Sequence, residues 1–508
     1  FPAWTARENT VVDLDAEERR VLEQEGEEAL DARLRAAGMF PVPALDLRSL
    51  KALRRHTCLG HCEGVPATIY VPPASHLRAL ARELRQAISE RACRPPEWVE
   101  AEEFHLRQLR RGHAIVLGGA HESAAAALLC DRYWLDADLG VPGPGGWLLR
   151  TVHNPAGLGH NVVHLCADET TAYPALEALL ASLETSPHGC VGVGPLMEVH
   201  PGPELRRRLG RFEEQWDGFI ALASRSLTPE HLAQAPTDPD DLEGFMDWLA
   251  AGYDSGGPAG DRYNRGPMTV AMRAARLYLL SGDRRYLGLF KGLVWRLIEY
   301  HCNFPGGASY LADYDFEVHS LALYWDLLEE QPCFDDDERL VISNFLLASL
   351  RMVDGYRQQN WPTQPGELRH NHETFPALSL HFGGRYFADY YRLPEAESWL
   401  ETARETFSGP IETACKHLED ANLYQWLVPL HKLVYDSATG ADTYLRNGVL
   451  EAVVENVLAT TDNFGWPSDF GDADRPVGGG LLPATLLEYA AGRWRDPGLQ
   501  WHAERIAG

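Results

Sequence analysis

Three short stretches concentrate residues able to do chemistry. Arg369-His370-Asn371-His372-Glu373-Thr374 opens a run with helical spacing. His417-Leu418-Glu419-Asp420-Ala421-Asn422-Leu423-Tyr424 leads into a second such run, which carries His431 and Tyr435 four residues apart on one helical face. Gly465-Trp466-Pro467-Ser468-Asp469-Phe470-Gly471-Asp472-Ala473-Asp474 is a loop rich in aromatic and acidic groups. An amide beside an imidazole suits hydrogen bonding to oxygen atoms on which negative charge develops. Imidazole changes charge near neutrality, and a tyrosine hydroxyl, with a free pKa near ~10, can hand over a proton. Tyrosine becomes a base only beside a cation that lowers its pKa. Together these groups suit removal of a weakly acidic carbon-bound proton and protonation of a departing oxygen. Each also has a plainer role. Asn371 can cap its helix, with Glu373 and Thr374 in the first turn. His370 and His372 can be a solvated pair, and Tyr424 can pack in a core.

In order, these motifs resemble the heparinase II/III-like and alginate-lyase families of polysaccharide lyases, which are built on (α/α) toroids. The resemblance rests on Asn371-His372, the later Tyr424, the Trp466-Pro467…Gly471-Asp472 loop and the helix turn Leu280-Ser281-Gly282-Asp283-Arg284-Arg285-Tyr286-Leu287. It covers roughly residues 240–490. Before the tyrosine the chain keeps the family's Glu as Glu419, without the family's Asp-Gly or Ser. The resemblance implies β-elimination on a uronic-acid polysaccharide, with Asn371 neutralising the uronate carboxylate and His372 and Tyr424 moving protons. Arg369 and His370 would help bind substrate. Tyr310, Tyr314, Trp361 and Trp466 would stack on sugar rings, Arg262 and Arg265 would meet carboxylates, and His431 and Tyr435 would line the cleft. A C-terminal β-sandwich would follow the toroid.

The elements that must position these residues fall into two regions. Over residues 1–200 short apolar runs alternate with helical patterns. Strands are predicted at Ala67–Val71, His113–Leu117, Trp147–Val152 and Asn161–Cys166. Helices are predicted at Glu17–Ala36, Leu77–Ala92, Ser123–Cys130 and Thr171–Leu183. That alternation argues a layered α/β domain, and it resembles the accessory domain ahead of the catalytic domain in α-glucuronidases and hexosaminidases. Gly118-Gly119 and the Gly140–Gly146 loop match neither GxGxxG nor GxxxxGK[ST], so both are read as turns. Over 201–508 the strand pattern stops. Helices are predicted from Glu204–Ala223 through Asp336–Val353, His372–Phe382, Glu395–Phe407 and Leu423–Asp436 to Tyr444–Thr460, many of them apolar around most of their circumference. The expected fold is therefore multidomain: an N-terminal α/β layered domain, then an all-α (α/α) toroid that is incomplete at its C-terminal end.

Composition narrows the partners. The 508 residues carry a net charge of −27 with no basic stripe, which excludes a nucleic-acid binder. No apolar run reaches roughly eighteen residues, so no helical membrane span is expected. The nine cysteines are scattered and odd in number, and free thiols are expected. A zinc site from His56, Cys58, His61 and Cys62 would lack a second cysteine pair. No cofactor is expected, apart from a structural divalent cation at Asp469, Asp472 and Asp474, which read more simply as a hydrated turn. The chain starts at Phe1 without a leader, and Leu499–Ile506 reads as the opening of a further helix, so a fragment of a periplasmic or secreted protein is expected. Two rivals share the toroid. A glycoside hydrolase would draw two carboxylates from Asp313, Asp315, Glu317, Glu373, Glu419 and Asp472. A non-catalytic carbohydrate-binding protein would use none of them.

Overall fold

The structure is a computed structural model that describes Gln24 and residues 45–61, 64–138, 140–186, 189–223, 229–254, 265–303, 318–360, 371–413, 424–462, 465–466 and 481–507. It is a mixed α/β and helical chain that divides into two compact units. The first comprises Phe1–Tyr314, Ser320–Ala348 and Asp389–Tyr391; the second comprises Asp315–His319, Ser349–Ala388 and Arg392–Gly508. The first unit thus keeps helices beyond residue 200 together with the α/β layer.

The first unit is built on a six-stranded sheet. The strands of the α/β layer are β1 (Thr57–Gly60), β2 (Thr68–Val71), β3 (Glu97–Glu100), β4 (Ala114–Leu117), β5 (Trp147–Val152), β6 (Val162–Ala167), β7 (Glu184–Thr185), β8 (Val191–Val193) and β9 (Met197–His200). The main sheet runs β3-β2-β4-β6-β5-β9, and β1-β8-β7 form a smaller one. β2, β3, β4 and β6 are parallel, while β5 is antiparallel to both its neighbours. β4 and β6 are buried along their whole length, as expected of parallel strands covered on both faces. Helix α1 (Ser75–Ser89) lays Leu77, Leu80, Ala81, Leu84 and Ile88 on one face. With α2 (Ala124–Asp131) and α3 (Ala172–Ala181) it completes the helices of the α/β layer. The two glycine loops are turns. Glu122 accepts from the Gly119 amide and Ser123 caps α2, while Asp138 and Asp168 accept from the Gly140 and Gly145 amides.

Among the described residues no strand follows His200. The helices are α4 (Pro203–Leu209), α5 (Phe212–Ala223), α6 (Pro229–Leu232), α7 (Leu242–Asp254), α8 (Arg265–Ser281), α9 (Arg284–Asn303), α10 (Val318–Leu328), α11 (Asp336–Asn360), α12 (Asn371–Tyr386), α13 (Pro394–Thr406), α14 (Leu427–Thr439), α15 (Thr443–Arg446), α16 (Val449–Thr460), α17 (Leu481–Trp494) and α18 (Pro497–Ala507). Two expected single helices are each broken in two. Gly210 (φ 66°) ends α4 and Gly448 (φ 72°) follows α15, both in left-handed conformations that helix-forming residues avoid. The expected strands sit within a residue or so of their predicted limits. The short strands β1, β3, β7, β8 and β9 had no apolar run long enough to announce them. Glu17–Ala36 lies outside the described residues apart from Gln24.

The cysteines differ from expectation. Cys58 and Cys190 form a disulfide between β1 and the residue preceding β8, and Cys93 is disulfide-bonded as well. Cys130, Cys166 and Cys333 are free. Cys58 therefore has no thiolate to offer zinc, and His61 accepts a hydrogen bond at Nδ1 from the Gly64 amide. Cys62 lies outside the described residues.

A buried charge cluster fastens the segment ahead of β1 to the helices of the first unit. Lys51 is 2% exposed; its ammonium lies 3.0 Å from Asp326 and 3.8 Å from Glu329, and 4.0 Å over the Tyr390 ring. Arg339 donates to the Lys51 carbonyl at 2.6 Å and to Glu329 at 2.7 Å. Burial alone would depress the Lys51 ammonium, but Tyr390, Asp326 and Glu329 outweigh it and hold it well above the ordinary lysine value. Removing one partner of a buried pair strands the other. Lys51→Ala is therefore expected to destabilise the protein by about 3–5 kcal/mol, read from urea unfolding. A loss below about 1 kcal/mol would mean that the cluster is not holding this segment.

Candidate functional site

The expected catalytic residues belong to the second unit. Helix α12 is buried all around: only His372 and Arg385 of its residues are not buried. A helix of that kind is central rather than peripheral. Asn371 is its first residue and is 2% exposed, Glu373 is 1% exposed, and His372 beside them is half-buried. Pro376 lies inside the helix and has no amide to donate, so the His372 carbonyl loses its helical partner.

Thr374, fully buried one turn in, joins this helix to α14. Its hydroxyl donates to the Asn371 carbonyl at 3.1 Å and lies 2.7 Å from His431 Nδ1. Either atom of the Thr374–His431 pair can be the donor, since the hydroxyl rotates and the imidazole has two tautomers. Phe375 packs edge-on against the His431 ring at 4.2 Å, and His319, at the start of α10, lies 6.4 Å from it. Burial pushes His431 well below the ordinary histidine value, with His319 adding to the effect, and burial pushes His319 down to about 4. Both imidazoles are neutral at pH 7.

Further along, the His381 ring on α12 meets Tyr435 on α14 at 5.0 Å. Tyr435 also stacks on Phe407 at 4.5 Å, and burial pushes its hydroxyl up to about 12. Thr374 pairs with His431 and His381 with Tyr435, so α12 and α14 run in the same direction. Tyr424 is half-buried and opens the 3-10 turn Tyr424–Trp426 that feeds α14, seven residues ahead of His431. It therefore lies toward the end of the pair at which α12 begins, the end of Asn371 and His372.

The remaining predicted residues sort differently. His431 and Tyr435 are buried at 5% and 8% exposure, inside the helix contact. Trp466 is 58% exposed, held in a turn in which its amide donates to the Asp462 carboxylate and its carbonyl accepts from the Asp462 amide. Arg265 is the first residue of α8. Arg262, Tyr310, Tyr314, Trp361, Arg369, His370, Asp469, Asp472 and Asp474 lie outside the described residues, as do the hydrolase carboxylates Asp313, Asp315, Glu317 and Glu419. Sequence reasoning missed Thr374 as a connector and His319 as a neighbour, since neither carries a spacing signal. Among the described residues no group of three or more His, Cys, Asp or Glu is arranged to hold a metal ion, and no helix is long and apolar enough to cross a membrane.

No family model matches the chain, and no similar curated protein or solved structure was found.

Thr374→Val removes the hydrogen-bond partner of the buried His431 Nδ1 and is expected to cost about 1–3 kcal/mol, measured by chemical unfolding. The depressed pKa gives this histidine a definite sign. Its contribution is present above the unfolded-state value of 6.5 and is lost as pH falls below it. By NMR, the His431 ring should show no titration from about pH 5.5 to 8.

Proposed function

We propose that the protein is a polysaccharide lyase acting on a uronic-acid-containing chain by β-elimination, and that its second unit forms part of an (α/α) toroid. One observation supports this reading: the Thr374–His431 and His381–Tyr435 contacts make α12 and α14 run in the same direction, with Asn371 and His372 opening the one and Tyr424 preceding the other. A further support is the electrostatics of the end at which α12 begins. The N-terminus of a long helix favours negative charge, and α12 presents its N-terminus where charge would build on the uronate.

In the proposed reaction the Asn371 amide hydrogen-bonds the substrate carboxylate, so that withdrawing the C5 proton leaves an enolate stabilised rather than exposed. The half-buried His372 or Tyr424 takes that proton. Tyr424 returns a proton to the C4 oxygen as the C4–O bond breaks and a C4=C5 double bond forms. His431, neutral and bonded to Thr374, holds the first turn of α12 in place and stays out of the proton transfers. The expected setting is periplasmic or extracellular. It fits the disulfide between Cys58 and Cys190, because such bonds persist in oxidising compartments.

Incubation with a panel of uronate polymers should generate unsaturated, ultraviolet-absorbing chain ends. New reducing ends without that absorbance would assign a hydrolase, and the absence of both would leave a binding protein. Asn371→Ala and Tyr424→Phe should each lower turnover by about 100-fold or more while the protein still folds, as judged by circular dichroism. Full activity in both variants would remove this site from the reaction.

A further inference from the structure

Among the described residues of the second unit, the large apolar side chains left exposed are all tryptophans. Trp466, Trp494 and Trp501 are exposed, whereas Trp399 and Trp426 of the same unit are buried. Trp466 and Trp501 stand out furthest, at 58% and 52% exposure. An indole gains most by being covered, so two of them on one surface point to something that docks there.

Packing brings the two to one residue, Arg505. Helix α18 turns Leu499, Ala503 and Ile506 into the core of the second unit. Trp501 and Arg505, four residues apart, share its outer face. The Arg505 guanidinium lies over the Trp501 ring, 5.0 Å from its centre. The turn that carries Trp466 rests on the same arginine: a Cβ added to Gly465 would come within 2.5 Å of the Arg505 carbonyl oxygen and 3.2 Å of its Cγ. Only a glycine, here with φ of 88°, lets the turn approach so closely. Arg505 therefore has the Trp501 ring beneath its guanidinium and the Trp466 turn against its backbone.

The charges of this surface favour an anion. Arg505 is exposed, and a guanidinium offers five N–H donors in a plane that matches a carboxylate. The acids beside it in helix and turn are engaged: Glu504 accepts from Gln500 at 3.1 Å and Asp462 from the Trp466 amide at 2.9 Å. With a net charge of −27 the protein offers a polyanion no general attraction, so one is held only where a cation and apolar faces converge.

We propose that Trp466, Trp501 and Arg505 form a carbohydrate platform that retains a uronate chain, a role that rests on the reading of the substrate given above. The indoles stack on the C–H faces of sugar rings, and Arg505 pairs with a uronate carboxylate. None of the three moves a proton; the platform raises the amount of polymer held at the protein.

The test is retention of the full chain on beads carrying polygalacturonate, alginate or hyaluronate, against beads carrying neutral dextran, with Asn371→Ala in place so that the polymer stays whole. Retention on a uronate polymer and none on dextran is expected. Trp501→Ala and Arg505→Gln should each weaken it by about tenfold. Trp501→Phe, which keeps an aromatic face, should weaken it less. With Asn371 restored, Trp501→Ala and Arg505→Gln should leave turnover of a short uronate oligosaccharide within about twofold while raising the polymer concentration that gives half-maximal rate. The proposal is overturned by retention unchanged in these variants, by equal retention on dextran, or by no retention on any bead. A concentration-dependent dimer abolished by Trp501→Ala, without polymer retention, overturns it too and assigns the face to a second copy of the chain. Retention lost in the variants, with no unsaturated ends formed from any polymer, keeps the platform and removes only the lyase reading. Unsaturated ends with retention unchanged remove only the platform.

Discussion

The Thr374 hydroxyl has one proton and two neighbours that both need it engaged. It lies within hydrogen-bond distance of the Asn371 carbonyl and of His431 Nδ1. Two buried helices are thereby fixed in rotation as well as in spacing, because neither polar group has water to turn to. The contact of His381 with Tyr435 further along fixes their common direction. Asn371 and His372 open the first of these helices, and Tyr424 precedes the second. His431, which looks like a reactive group in the bare sequence, is given over to holding the frame.

The first unit handles burial on another scale. Its ions are gathered in a dense set around Lys51, where one ammonium, one guanidinium and two carboxylates satisfy each other. Such a set contributes less to net stability than its number of contacts suggests, since each ion gave up its hydration to be there. Removing any one of these charges would leave a buried partner stranded. Glu330 borders this set, which is why its protonation state is tied to it.

Much of the fold was legible in the sequence, for a physical reason. Parallel strands buried on both faces read as near-continuous apolar runs, and the runs ending near Leu117 and Ala167 announce themselves that way. Amphipathic α1 was equally readable. The short edge and hairpin strands were not, because pairing partners rather than composition make a strand of Glu184–Thr185. Nor was the link between Cys58 and Cys190, since spacing says nothing about residues that meet only after the sheet has formed. Within the candidate site, Asn371, His372 and Tyr424 stood out by residue type and order. The orientation of His431 and Tyr435 did not, because a helical face is visible in sequence whereas what it packs against is not.

The bond between Cys58 and Cys190 joins positions 132 apart in the chain and so encloses nearly all of the α/β layer. In the chain-entropy view, a ring of that size removes about 5 kcal/mol of freedom from the unfolded polypeptide. It also changes what a cut means. A protease that severs any loop inside the ring leaves both pieces tethered, each still holding strands that the other needs. The layer is in this sense closed to loss of material: a single cut in one of its loops does not release a piece.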